Sequence, residues 1–252
     1  MSLDFSPRKK ENGCGCGGGH ACPRQYLALT GFALGAFLLL HLSVNALGLW
    51  PARFQTAVSF IDGFGIALPS LEIILVLTLA IHIAFGLRTL RREKLIFDVK
   101  KHHRGSDLRY WLQRVTAVIL LVFLAFHLAT MHRWGLHLLY QMTHWPWVKR
   151  YAAGGLFEPQ RAWASISEAQ WHFWDQHAAN PANLLIAELY LLGIAAAVYH
   201  LANGAATGAE VLGLATTTRR KKRLWLVCTS AGSILAAIAM AGWYAFAPGA
   251  HP

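Results

Sequence analysis

The chain has 252 residues, 55% of them hydrophobic and only 14% charged, with a mean hydropathy of +0.37. A soluble domain is nearer a quarter charged, so a soluble enzyme is not expected. The formal charge of +11 does not point to nucleic acid, because the basic residues lie between apolar blocks and follow no amphipathic or RNA-binding pattern.

In chain order, residues 1–25 form a polar Cys/Gly-rich tail with no apolar core or small-residue cleavage site, so a cleaved signal peptide is not expected and the first span serves as its own insertion signal. Cys14, Cys16, His20 and Cys22 could ligate zinc or an iron-sulfur cluster. C-x-C-x₅-C is no standard finger spacing, however, and glycine favours a disordered tail. Apolar blocks then run over about 27–49, 67–90, 110–131, 183–206 and 224–247. Each is long enough to cross a bilayer as a helix, and none shows the alternation of a barrel strand. The expected fold is all-α: an integral membrane bundle of five helices over residues 26–247, with a short tail at 248–252.

Of the 23 lysines and arginines, 18 fall in residues 1–26, 87–114 and 215–224. The positive-inside rule therefore places the N-terminus in the cytoplasm and the C-terminus outside. The segment 133–181 is then external. It holds six of the ten tryptophans, including Trp171 and Trp174, which predicts an aromatic belt and a short interfacial helix lying flat.

Among the 13 histidines, His41, His82, His127 and His200 fall one each in the first four spans. One intramembrane histidine is ordinarily a helix-to-helix hydrogen-bonding group. Four in this arrangement suggest a pathway or a cofactor, because ionisable groups are costly in hydrocarbon. At ~1.5 Å rise per residue, alternating helix direction sorts them into two layers roughly 15 Å apart, His41 with His127 outside and His82 with His200 inside. Two histidines per layer is the donor set of bis-imidazole haem ligation between facing helices. No C-x-x-C-H occurs, so the haem would be b-type. Zinc would want three or four ligands at one point, which the layering does not provide. Gly31 and Gly35 before His41, and Gly204 and Gly208 after His200, suit close approach of a helix or a flat macrocycle.

The runs TGFALGAFLLLHLSVN, LQRVTAVILLVFLAFH and NPANLLIAELYLLGIAAAVYHLANG, with their Q-R-x-T, Y-x-L-G and H-L-x-N-G elements, carry a resemblance. Over residues 26–247 the chain resembles the cytochrome b membrane anchor of succinate dehydrogenases and fumarate reductases, of the five-helix, di-haem kind. It departs from that pattern at Ala117, where the family would have glycine, and in the segment 133–181.

The resemblance implies a multi-pass subunit of the cytoplasmic (inner) membrane in a succinate:quinone oxidoreductase. Its implied partners are a flavoprotein carrying the succinate/fumarate site and an iron-sulfur protein docked on the cytoplasmic face. Two haem b groups are implied, one on His82 and His200 and one on His41 and His127, with menaquinone or another quinone as the substrate. Asp62 in FIDGFG resembles the family's quinone-site carboxylate near the outer haem, with Glu72 and Glu188 as rivals and a plain turn residue as the other reading of Asp62. Arg24, Arg88, Arg91, Arg92, Arg109 and Arg114 flank the inner layer. Among them Arg114 is a candidate propionate contact, and most mark topology or grip the soluble partner. The alternatives are a haem b anchor for a different oxidoreductase and a haem-free five-span protein.

Overall fold

The computed structural model describes residues 23–92, 105–144, 156–174 and 180–250. These form eight α-helices and no strand: α1 (Pro23–Ala46), α2 (Pro51–Asp62), α3 (Ala67–Arg92), α4 (Gly105–Met131), α5 (Arg133–Thr143), α6 (Ala162–Trp171), α7 (Pro181–Val211) and α8 (Thr218–Ala245). Single 3₁₀ turns at Leu47–Leu49 and Pro159–Arg161 follow α1 and precede α6. Five of the helices, α1, α3, α4, α7 and α8, are long and apolar enough to cross a membrane. The chain is an all-α, multi-pass membrane bundle.

The crossing helices run past the apolar blocks at their polar ends, because capping groups rather than hydropathy set those ends. Asn180 accepts a hydrogen bond from the Ala182 amide, and Pro181 occupies the first helical position, so α7 starts ahead of its apolar block. The Thr217 hydroxyl accepts from the Arg220 amide and starts α8 within the basic run. Arg219 through Arg223 can then send their long stems along the helix toward water.

α7 is the centre of the bundle and packs on α8, α4 and α1; α1 packs also on α8 and α3. Leu42, Val198, Leu235 and Ala239 form the apolar seam where α1, α7 and α8 meet. The glycines singled out in the sequence all face neighbouring helices. A methyl added at Gly31 would lie 3.2 Å from the His82 ring, at Gly35 2.6 Å from Leu201, at Gly204 3.3 Å from Gln113 and at Gly208 3.3 Å from Phe32. α3 stands apart: it packs extensively only on α1, and its apolar stretch has no buried residue.

The described parts of the segment 133–181 pack on the bundle. α5 packs back on α4, and α6 is inserted between α2 and α7, with Ser165, Ile166, Ser167, Ala169 and Gln170 buried. Side chains bolt this cap to the ends of the crossing helices. Gln55 donates to the Pro159 carbonyl at 2.7 Å and accepts from the Ala162 amide at 3.1 Å. Trp163 donates to the Gly48 carbonyl at 3.1 Å, and Ser167 to the Phe246 carbonyl at 2.8 Å. Phe54 and Phe246 are fully enclosed between these layers. Trp171 is half-buried against Trp243, their ring centres 5.0 Å apart. At the cap's rim the Arg161 guanidinium, 2.9 Å from Glu158, holds that carboxyl below the usual carboxylate range. This pair is exposed, and its contribution to stability is small.

The tightest inter-helix approach near the histidines is at Gly193, where an added methyl would lie 2.4 Å from the Phe123 ring. Phe123 is buried and cannot swing aside without disturbing His127, on which it stacks at 5.6 Å. Gly193→Ala is expected to cost about 1–3 kcal/mol by overpacking. A lower thermal midpoint of the detergent-purified chain would show it; an unchanged midpoint would contradict the packing described.

Candidate functional site: two histidine pairs

The four intramembrane histidines come together in two pairs. His41 of α1 and His127 of α4 have ring centres 6.2 Å apart with planes at 76°, and His82 of α3 and His200 of α7 have ring centres 6.5 Å apart at 80°. These are the pairs that the depth reading grouped by layer, and they keep the labels of that expectation, outer for His41 with His127 and inner for His82 with His200.

The spacing has a chemical meaning. Two imidazoles binding one metal from opposite sides, with about 2 Å to each nitrogen and about 1.2 Å from nitrogen to ring centre, have centres roughly 6.4 Å apart. Packed helix axes lie ~8–10 Å apart. Yet neither α1 with α4 nor α3 with α7 is among the helix pairs that pack extensively. Each pair of rings therefore meets from helices that are not in extensive contact with one another. Among the described residues, no group of three or more His, Cys, Asp or Glu side chains converges to hold a metal ion, so each pair offers two nitrogens.

Around the inner pair the hydrogen bonds are dense. The Thr30 hydroxyl lies 3.0 Å from His82 Nδ1 and donates to the Tyr26 carbonyl at 2.8 Å. The Thr116 hydroxyl lies 3.3 Å from His200 Nδ1 and donates to the Leu112 carbonyl at 2.8 Å. Gln113 places its amide nitrogen 3.3 Å from His200 Nε2 and 3.3 Å from the His200 carbonyl. Its amide oxygen accepts from Asn203 at 2.6 Å. The Q-R-x-T and H-L-x-N-G elements are therefore one cluster: Gln113, Thr116, His200 and Asn203 meet where α4 crosses α7, and Gly204 leaves the space that Gln113 fills.

The outer pair is aromatic instead. His41 stacks on Phe37 at 5.5 Å and has the Asn45 amide nitrogen 3.3 Å from Nε2. His127 packs on both Phe123, at 5.6 Å, and Tyr190, at 5.8 Å, whose own ring centres are 5.4 Å apart. Its Nδ1 is buried without a hydrogen-bond partner among the described residues. The cap reaches this wall through Phe173, whose ring is 5.8 Å from Phe126, itself 6.2 Å from Tyr190.

The carboxylates are placed differently from the histidines. Asp62 is neither embedded nor in a loop: it is the exposed last residue of α2, and its carbonyl accepts from the Gly65 amide in the turn leading to α3. Glu72 on α3 and Glu188 on α7 are exposed on the outside of the bundle. Tyr190, two residues beyond Glu188, is buried against His127, so Glu188 faces away from the outer pair. No hydrogen bond or ion pair engages the side chains of Asp62, Glu72 or Glu188 among the described residues. Arg114 lies over the Tyr110 ring at 4.1 Å and donates to the Tyr110 hydroxyl, while Arg109 lies over Trp225 at 4.3 Å. Cys14, Cys16, His20 and Cys22, and the basic loop 93–104, lie outside the described residues.

Sequence reasoning passed over Thr30, Gln113, Thr116 and Asn203 as site residues. Three of them stood inside the quoted motif elements, and the signal was their polar character within apolar helical segments, where polar groups require partners. Comparison of the chain with protein-family models, with curated proteins and with solved structures finds no match.

Proposed function

We propose that the chain is a di-haem cytochrome b that anchors a succinate:quinone oxidoreductase in the cytoplasmic membrane and carries electrons between its iron-sulfur subunit and a quinone, menaquinone in the leading reading. The observation that carries this is the pair of imidazole–imidazole spacings, 6.2 and 6.5 Å, between helices that do not otherwise pack closely. His82 and His200 would hold one haem b, and His41 and His127 the other. Haem supplies reversible one-electron chemistry when bound. The chain's own residues orient the imidazoles, and Phe37, Phe123 and Tyr190 keep the outer rings in apolar surroundings. The succinate and iron-sulfur partners rest on the resemblance of the motif runs. The density of hydrogen bonding at Gln113, Thr116 and Asn203 supports it, because it gives those motif residues a shared task.

A reduced-minus-oxidised spectrum of the purified chain tests the reading. Two b-type haems per chain are expected, and reduction by succinate in the intact complex identifies the partner. A colourless chain would overturn the haem assignment. Haems that form but are reduced only by another donor would move the anchor to a different oxidoreductase.

Orientation follows the Lys and Arg distribution. In sealed vesicles with the cell exterior facing out, external protease is expected to spare the loop 93–104. Cleavage there would invert the topology and exchange the inner and outer pairs.

A further inference from the structure

We propose that Thr30 and Thr116 are positioning residues that hold His82 and His200 in the Nδ1–H tautomer, which leaves Nε2 of both rings unprotonated and able to ligate. As applied to haem, this rests on the function proposed above. The tautomer itself does not.

The argument is one of proton counting. A threonine hydroxyl has one hydrogen to give and lone pairs to receive with. At Thr30 that hydrogen is committed to the backbone, to the Tyr26 carbonyl at 2.8 Å with the Leu27 carbonyl at 3.2 Å as the second acceptor. Toward His82 Nδ1, 3.0 Å away, the oxygen has only a lone pair, so the hydrogen between them belongs to the imidazole. Thr116 repeats the arrangement on α4: Leu112 carbonyl at 2.8 Å, Gln113 carbonyl at 3.2 Å, and His200 Nδ1 at 3.3 Å. In a neutral imidazole one protonated nitrogen leaves the other as an acceptor.

A second line fixes His200 independently. Asn203 uses its amide nitrogen toward the Arg109 carbonyl and toward Gln113, whose oxygen accepts at 2.6 Å. Gln113 therefore turns its NH₂ toward His200, and a donor facing Nε2 requires a lone pair there. The same NH₂ also reaches the His200 carbonyl at 3.3 Å, so Gln113 keeps an acceptor when Nε2 is taken by a ligand. Gly31, beside Thr30, completes the seat of His82: a methyl there would come within 3.2 Å of ring carbon Cε1. Outer histidine His127 has its Nδ1 buried with no hydrogen-bond partner among the described residues, so the hydroxyl device is seen at the inner pair. In metal sites a hydrogen bond of this kind at the distal nitrogen sets ring orientation and strengthens the ligand.

Two measurements on the full chain decide it. In ¹⁵N-histidine-labelled chain purified without haem, His82 and His200 are expected to be protonated at Nδ1. Thr30→Val should release His82 and Thr116→Val should release His200 to mixed tautomers, while Thr→Ser at either site keeps the wild-type form. An Nε2–H form in the wild-type chain, or valine variants with unchanged tautomers, overturns the proposal. In haem-loaded chain, either valine variant is expected to raise the reduction midpoint of the inner component alone, because a less electron-rich imidazole favours the ferrous state, with serine restoring it. An equal shift in both components, or none, overturns the role toward haem. A chain that binds no haem removes the function proposed above, and the tautomer measurement still stands.

Discussion

Replacing either His82 or His200 by alanine is expected to remove the same one of two b-type absorbance components and to lower the haem content from two per chain to one. Replacing His41 or His127 should remove the other. The effect should be complete because, on the reading proposed above, each pair would supply both iron-ligating nitrogens of its site, and among the described residues no group of three or more His, Cys, Asp or Glu forms there to take over. The assignment is pairwise and so can fail specifically. If His82→Ala and His41→Ala abolished the same component, the α1/α4 and α3/α7 pairing would be wrong. The two losses should also differ in their side effects. α3 packs extensively only on α1, so losing the inner ligand removes a tie between α3 and α7, whereas α1 and α4 are both held by α7.

The second large effect concerns quinone. Oxidising a quinol releases two protons, and an acceptor at the membrane edge is needed where they leave. Asp62 is exposed at the corner between α2 and α3, with its side chain unengaged among the described residues, and on the function proposed above it is the candidate acceptor. Asp62→Asn keeps the size and a hydrogen-bonding oxygen but removes the base. It is expected to lower quinone-linked turnover by about a hundredfold, the low end for loss of a general base. Both haems and succinate oxidation by soluble dyes should persist. Near-normal quinone turnover in that variant would eliminate Asp62. The same assay on Glu72→Gln and Glu188→Gln would then choose between carboxylates that both face outward from the bundle.

Crossing helices are legible in a sequence because twenty apolar residues in a row have few other uses, and all five appear where hydropathy puts them. The pairing of histidines was legible for a related reason: helix rise and alternating direction are rigid enough to convert residue number into depth. The cap was not. PARFQTAVSFID carries its helix signals, a proline at the first position and an apolar Phe54/Val58 face, but it lies between two stronger apolar blocks and reads as a connector. Trp171 was read on composition as part of an aromatic belt, and its contact with Trp243 was not legible because that partner comes from a distant helix. Thr30 and Thr116 were unread for a different reason. A threonine bonding back to its own helix is ordinary in an apolar segment, and what makes these two matter is an imidazole contributed from 52 and 84 residues away.

The two pairs are tied together by two of the stiffest objects in the molecule. α1 carries both His41 of the outer pair and Thr30, which touches His82 of the inner one; α7 carries both His200 of the inner pair and Tyr190, which lies against His127 of the outer one. Each helix spans the interval in ten or eleven residues, roughly 15 to 17 Å at ~1.5 Å per residue. Two independent rulers thus agree on one length, and both are graduated in backbone hydrogen bonds. A bilayer that thins or thickens can tilt these helices, but it cannot stretch them. Were the haems proposed above to occupy the two sites, the interval an electron would cross between them would be a property of the polypeptide and not of the lipid around it, and tunnelling falls off steeply with distance.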